Sequence, residues 1–182
     1  MKKHDFSRFT VNTYATLQIP IRLLISIAII TFFIGLVVIG SQLATETIQQ
    51  NTLKTRLFEI KQEIETLYQH GNSRNLDDPT ASVGSKRVFS LTIPDCVSFV
   101  FFGKKSSDAN GLKSSIRYVA NQQTEIVWLN SEIQLLSGRK ITDVWYPNQN
   151  DTGLQLQKGT YSFTAELVCN NSMHFVLIYP VN

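Results

Sequence analysis

One stretch of this chain constrains its fold more than any other, because residues 23–44 contain no charged side chain. Within it, 13 of the 17 positions from 23 to 39 are Leu, Ile, Val or Phe. A helix of this length crosses a hydrocarbon core of about 30 Å. Its apolar residues fall on every face, whereas the surface helix of a soluble protein has one apolar stripe. The sequence therefore predicts a transmembrane helix over residues 21–43, with the lipid bilayer as its partner.

The charges that flank this run predict its orientation. Positive residues stay on the cytoplasmic side, and four precede the run: Lys2, Lys3, Arg8 and Arg22. Residues 1–20 are therefore expected to form a cytoplasmic tail. The chain would cross the plasma membrane once and place its C-terminal domain outside. A signal peptide cleaved near Gly40 is the alternative, but the apolar run is longer than the usual 7–15 residues of such signals.

The helix is expected to continue beyond the membrane as an amphipathic extension over residues 44–70. No Pro or Gly occurs between Gly40 and Gly71, which is a plausible C-cap, and Pro20 suits the first helical turn. Five large apolar residues recur at spacings of 4, 3, 4 and 3, which is the pattern of a packed helical seam: Leu53, Leu57, Ile60, Ile64 and Leu67. We predict that this seam is an association surface for other subunits, with packing on the chain's own β domain as the alternative.

A separate β domain is expected after the helix. Residues 71–86 are rich in Asn, Asp, Ser, Gly and Pro and predict a linker loop. Over residues 87–182 the apolar period changes to two, and Gly and Asn interrupt it at short intervals, as in an antiparallel β-sandwich. The expected strands cover residues 87–93, 97–102, 115–120, 124–129, 132–136, 141–146, 159–169 and 173–179.

The two cysteines, Cys96 and Cys169, both fall in the domain that is expected outside the cytoplasm, where a disulfide is permitted. A bridge between them would close a loop of about 70 residues and constrain the unfolded chain by roughly 4 kcal/mol. We therefore predict that they are joined, with two buried thiols as the alternative.

Two N-x-[ST] sequons, at Asn150 and Asn170, fall in expected loops of the same domain and are candidates for glycosylation. The chain lacks the sequence patterns of the common catalytic sites and of phosphate and dinucleotide binding. Two cysteines alone supply too few ligands for zinc. The sequence therefore predicts no catalytic residue, no cofactor and no metal. Its net charge of +3 is spread along the chain, so nucleic acid is not an expected partner.

The layout itself resembles a known family. An apolar N-terminal helix that is prolonged by an amphipathic seam and followed by an antiparallel β domain is similar to type IV pilins and archaellins. The segment RVFSLTIPDCVSFVFFG, residues 87–103, is similar in style to archaeal pilin-like surface proteins. The resemblance implies a pilin-like α+β fold and partners that are other pilin-like subunits or further copies of the chain. Prepilins are cut after a Gly or Ala just before the helix, whereas Ile19 and Pro20 precede the run here, so an uncut protein retained in the membrane is expected.

These observations lead to one main functional hypothesis and one alternative. The main hypothesis is a membrane-anchored, non-enzymatic surface protein that acts as a pilin-like structural or assembly component. The alternative is an extracytoplasmic binding module, an adhesin or sensor, on a single-pass anchor. The two differ in whether the helical seam faces other chains or is covered by its own domain.

Overall fold

The computed structural model describes residues 13–181, apart from positions 79, 107, 109, 149 and 151, with side chains from residue 20 onward. Most of the expected cytoplasmic tail, residues 1–12, therefore lies outside the described residues. The chain forms two compact units that divide between Thr45 and Glu46.

One long helix, α1, spans Thr13–His70 and is long and apolar enough to cross a membrane. It begins earlier than expected, so Pro20 lies inside the helix instead of in its first turn. An internal proline removes one backbone hydrogen bond, and apolar membrane helices tolerate this loss. The helix ends at the expected glycine, where the Gly71 N–H donates to the Leu67 carbonyl at 2.8 Å. A Cβ at position 71 would lie 2.4 Å from that same oxygen, so only glycine fits there.

The described residues after α1 form ten strands and one 3₁₀ helix. The strands are β1 Arg74–Asn75, β2 Lys86–Ile93, β3 Val97–Phe102, β4 Ser115–Ala120, β5 Gln123–Trp128, β6 Leu135–Ile141, β7 Val144–Pro147, β8 Leu154–Gln157, β9 Gly159–Asn170 and β10 Met173–Pro180. The 3₁₀ helix covers Asn110–Ser114. The expected linker is therefore not structureless, since it contains β1.

The strands form two sheets, of which the first is mixed and the second is antiparallel. In the first sheet β9 pairs with β1, β2 and β10, and the order continues through β6 to β7. The second sheet has the order β5-β4-β3-β8. Most pairs are antiparallel as expected, but β1 runs parallel to β9 and β6 runs parallel to β10. The purely antiparallel expectation is wrong at these two places. The chain passes through β7, β8 and β9 between β6 and β10, which is the long connection that a parallel pair requires.

Two expected strand boundaries were also wrong. The strands expected at 132–136 and 141–146 are shifted in the structure to β6 and β7. They join through a tight turn in which Thr142 has a φ of 56°. A threonine gives little sequence signal for such a turn, because its β-branched side chain disfavours positive φ.

The five-residue helical seam is part of the core of the second unit. Its side chains are at most 4 % exposed and pack in one cluster with Phe89, Phe102 and Phe163. The prediction that this seam is an association surface is wrong, because the chain's own β domain covers it. Polar contacts hold α1 on both sides of the seam. Lys54 forms an ion pair with Glu125 of β5 at 2.9 Å, while Arg56 Nε donates to the Ser90 carbonyl of β2 at 3.2 Å.

Candidate functional site

The predicted disulfide is wrong, since both cysteines are unpaired: Cys96 lies in the turn between β2 and β3, near the start of β9, whereas Cys169 lies near the end of β9. Ile93, three residues before Cys96, pairs with Gly159 at the start of β9. Cys169 lies ten residues further along β9, which is about 33 Å at 3.3 Å per residue. The three residues from Ile93 to Cys96 reach back at most about 10 Å. A disulfide needs Cα atoms about 4.4–6.8 Å apart, so no local adjustment joins these two.

The sequons occupy two different environments. Asn150 is exposed in the connection between β7 and β8. Asn170 was expected in a loop but is the last residue of β9. Its side-chain Oδ1 is buried and has no hydrogen-bond partner. Asn171 and Ser172 then turn the chain with φ values of 47° and 64°, as in a type I′ hairpin. Glycosylation at either site remains a prediction.

A buried charged cluster lies on the first sheet. Glu166 of β9 is 1 % exposed, and its carboxylate accepts hydrogen bonds from Arg74 Nε at 2.8 Å and from the Tyr179 hydroxyl at 2.9 Å. Arg74 Nη2 also donates to the Trp145 carbonyl at 2.8 Å, and the Trp145 ring stacks on Tyr179 at 4.6 Å between centroids. The Arg74 side chain therefore ties the connection after α1 to β7 and β9, and Glu166 links it to β10.

The charges in this cluster favour a structural role over a role in proton transfer. Burial, together with the neighbouring Glu166 carboxylate, raises the pKa of Tyr179 well above its ordinary value of 10.0. The phenol consequently stays protonated near neutral pH and acts as a hydrogen-bond donor. An unpaired buried carboxylate would cost several kcal/mol, which explains why the guanidinium accompanies it.

A second charged cluster lies on the outer face of the second sheet. Lys105 Nζ is 4.8 Å from the centre of the Phe99 ring, and the Arg117 guanidinium lies 5.2 Å from the Phe101 ring. Arg117 also forms an ion pair with Asp108. The backbone N–H of Lys105 and then the Arg117 side chain lower the pKa of Asp108 below its ordinary value of 3.8. These contacts fasten the loop between β3 and the 3₁₀ helix to the sheet.

A groove of about 600 Å³ lies between α1 and the end of β2. The helix contributes Ile48, Gln49, Thr52, Leu53 and Arg56 to its wall. Strand β2 and the bend after it contribute Ser90, Thr92, Ile93, Pro94 and Asp95, while β9 adds Gly159 and Thr160. A volume in this range is typical of ligand pockets. We refer to this feature as the α1–β2 groove.

No side chain in the α1–β2 groove has a geometry that points to catalysis. Arg56 is engaged by Ser90 and by Glu59 at 2.8 Å, and Asp95 forms an ion pair with Lys158 at 3.5 Å. Among the described residues, no group of three or more His, Cys, Asp or Glu side chains is placed to hold a metal ion. What the groove offers chemically is apolar surface, hydroxyl groups and exposed backbone.

Comparison with known proteins does not assign a family. No protein-family model, no curated protein and no solved structure matches this chain.

The groove and the Arg74–Glu166 cluster were not predicted from the sequence. The one available signal for the cluster was a glutamate in the middle of a long apolar strand, which needs a buried counter-ion.

Proposed function

We propose that this chain is a single-pass membrane protein that holds residues 46–182 outside the cytoplasm as a non-enzymatic surface module. The observation that carries the proposal is a contrast within α1. The apolar side chains of residues 21–43 are exposed, with Phe32 at 65 % and Val37 at 70 %, whereas those of the seam are covered. A lipid environment explains why one part of the helix has no protein cover.

The free energy of inserting residues 21–43 into a membrane supports this proposal. At roughly −0.4 kcal/mol for each of the 13 large apolar residues, insertion of the run gains about 5 kcal/mol. The polar side chains inside it add little cost, because Ser26 Oγ and Thr31 Oγ1 each donate to a backbone carbonyl of the preceding turn at 2.9 Å. The orientation, with the N-terminus in the cytoplasm, is proposed from the basic residues before the run.

A reporter enzyme that is active only outside the cytoplasm tests this topology. Fused after Asn182 it should be active, and fused after Arg22 as a matched control it should be inactive. Recovery of the full-length protein in the soluble fraction without detergent would contradict the anchor, and activity of the Arg22 fusion alone would contradict the orientation.

We further propose that the organisation is pilin-like, with the β domain as one sandwich over the second half of α1. The seam is no longer available for subunit contacts, so residues 21–43 are the part of the helix proposed for association in the membrane. A cysteine at Val37, in a C96S/C169S background, should cross-link between copies. A cysteine at Leu57 is the matched control and should not, because that position is covered. Absence of any cross-link from position 37 at native expression would reject the pilin-like association.

The second candidate function is an extracytoplasmic binding module. The specific observation in its favour is the α1–β2 groove, since ligand sites are concave and combine apolar walls with a few polar groups. This candidate shares the anchor with the first and differs in what the outer domain contacts.

A further inference from the structure

The α1–β2 groove lies along an unpaired edge of the first sheet. Strand β2 pairs with β9 on one side, and among the described residues no strand pairs with its other side. Residues from both faces of β2 line the groove: the exposed Ser90 and Thr92 from one face, and the buried Ile93 from the other. Arg56, which lines the groove, reaches the Ser90 carbonyl, so the groove borders the edge of β2 that β9 does not pair, and Gly159 and Thr160 continue it round the end of β2.

The backbone of β2 presents hydrogen-bonding groups into this groove. Arg56 Nε reaches the Ser90 carbonyl, so the polar groups of Ser90 point away from β9. In an antiparallel ladder this direction alternates residue by residue, so Val88 and Thr92 also point outward while Phe89 and Leu91 bond to β9. Arg56 already occupies the Ser90 carbonyl, so the edge offers an additional strand chiefly the Ser90 and Thr92 N–H groups and the Thr92 carbonyl.

The size and charge of the groove define the occupant. The part of β2 beside the groove, from Ser90 to Ile93, covers four strand residues, about 13 Å at 3.3 Å each. Charged groups stand only at the two ends, as the Arg56–Glu59 and Lys158–Asp95 ion pairs, each already matched. A charge at the centre of the ligand would be desolvated without a counter-ion, whereas small apolar and hydroxyl side chains match the walls.

A second copy of β2 is a poor occupant. Gln49 lies beside Cys96, with 3.8 Å between Oε1 and Sγ, while Arg56 lies beside Ser90, so α1 runs opposite to β2. Two identical edges exchange hydrogen bonds about a two-fold axis by antiparallel pairing, which would also make the two α1 helices antiparallel. Two chains that are anchored in one membrane with the same orientation cannot adopt that arrangement.

We propose that the α1–β2 groove is a strand-addition site that captures an extended, uncharged peptide segment of a partner protein, with hydrogen bonds to the backbone of Ser90 and Thr92. This inference deepens the binding-module candidate and rests on it. It does not depend on the direction in which the chain crosses the membrane, so the topology assay and the peptide assay fail independently.

The test uses the full-length chain, ¹⁵N-labelled in nanodiscs, and an end-blocked hexapeptide of alternating threonine and valine. Saturating peptide should slow hydrogen exchange at the Ser90 and Thr92 amides about tenfold, because both become hydrogen-bonded. The Leu91 amide, already paired with β9, should not change. A peptide with glutamate at its two central positions should bind at least about tenfold more weakly.

Two helix variants separate the groove from general effects on folding. Thr52→Trp fills the groove and should abolish the protection, whereas Thr55→Trp, at an exposed position that does not line it, should leave the protection unchanged. Equal binding by the Thr52→Trp variant would overturn the proposal. Slow hydrogen exchange at the Ser90 and Thr92 amides in the dilute chain without peptide would also overturn the proposal, since the edge of β2 would already be covered. Protection that appears with protein concentration and without peptide would assign the edge to a second copy and likewise reject a peptide partner.

Discussion

Replacing Leu57 with alanine is expected to destabilise the β domain rather than to disturb association. Leu57 is fully buried in the cluster that includes residues of both sheets. Removing a buried leucine side chain costs about 2–5 kcal/mol, because the lost transfer free energy adds to that of the cavity left behind. For a domain of this size, 1 kcal/mol shifts Tm by roughly 3–5 °C, so Tm should fall by about 10–15 °C at the middle of that range.

The neighbouring Phe58 provides the control for this experiment. It is 44 % exposed, so Phe58→Ala should change the free energy of unfolding by no more than about 1 kcal/mol. Both variants are made in the full-length chain and unfolded by urea in detergent, with tryptophan fluorescence as the signal. A core role for Leu57 is refuted if the Leu57→Ala variant unfolds at the same urea concentration as Phe58→Ala. It is also refuted if Leu57→Ala changes the oligomeric state and leaves the free energy of unfolding unaltered.

Three further outcomes are expected. Peptide mapping without reductant should recover Cys96 and Cys169 as separate thiols, and a cross-linked peptide would contradict the strand register. Arg74→Ala should cost about 3 kcal/mol in urea unfolding, because it leaves the buried Glu166 carboxylate with the more distant Lys86 ammonium at 3.9 Å as its counter-ion, and a Glu166→Gln partner in a double-mutant cycle should recover part of that loss. Asp108 has a folded-state pKa below the ordinary 3.8, so its stabilisation is present above about pH 4 and lost as the pH falls through the folded value. Asp108→Asn should therefore be less stable than the natural chain at pH 7, and the difference should shrink toward pH 3; a constant difference would argue against the ionised carboxylate.

Much of the fold was accessible from sequence where one local pattern dominated. Strand β9 was predicted to within one residue at its C-terminal end, because its alternation is regular and a glycine marks its start. The two-residue strand β1 and the four-residue β8 were missed, since neither is long enough to show a period. Thr164 and Glu166 of β9 alternate with apolar residues along the strand, a pattern that is typical of a solvent-facing side, yet both are buried. A polar side chain can be buried where a distant partner satisfies it, and sequence spacing does not show that partner.

The sequence by itself determined the division of the chain: an uncharged run that requires an apolar environment, a helical seam that requires cover, and a β domain after Gly71. These follow from hydrophobic period and charge, which are local properties of the chain. Only the tertiary structure decided what covers the seam, that the turn holding Cys96 lies at the end of β9 opposite to Cys169, and that an edge of β2 borders a groove. Each of these depends on strand register and sheet order, which bring together residues that are far apart in sequence and so leave no trace in any single segment.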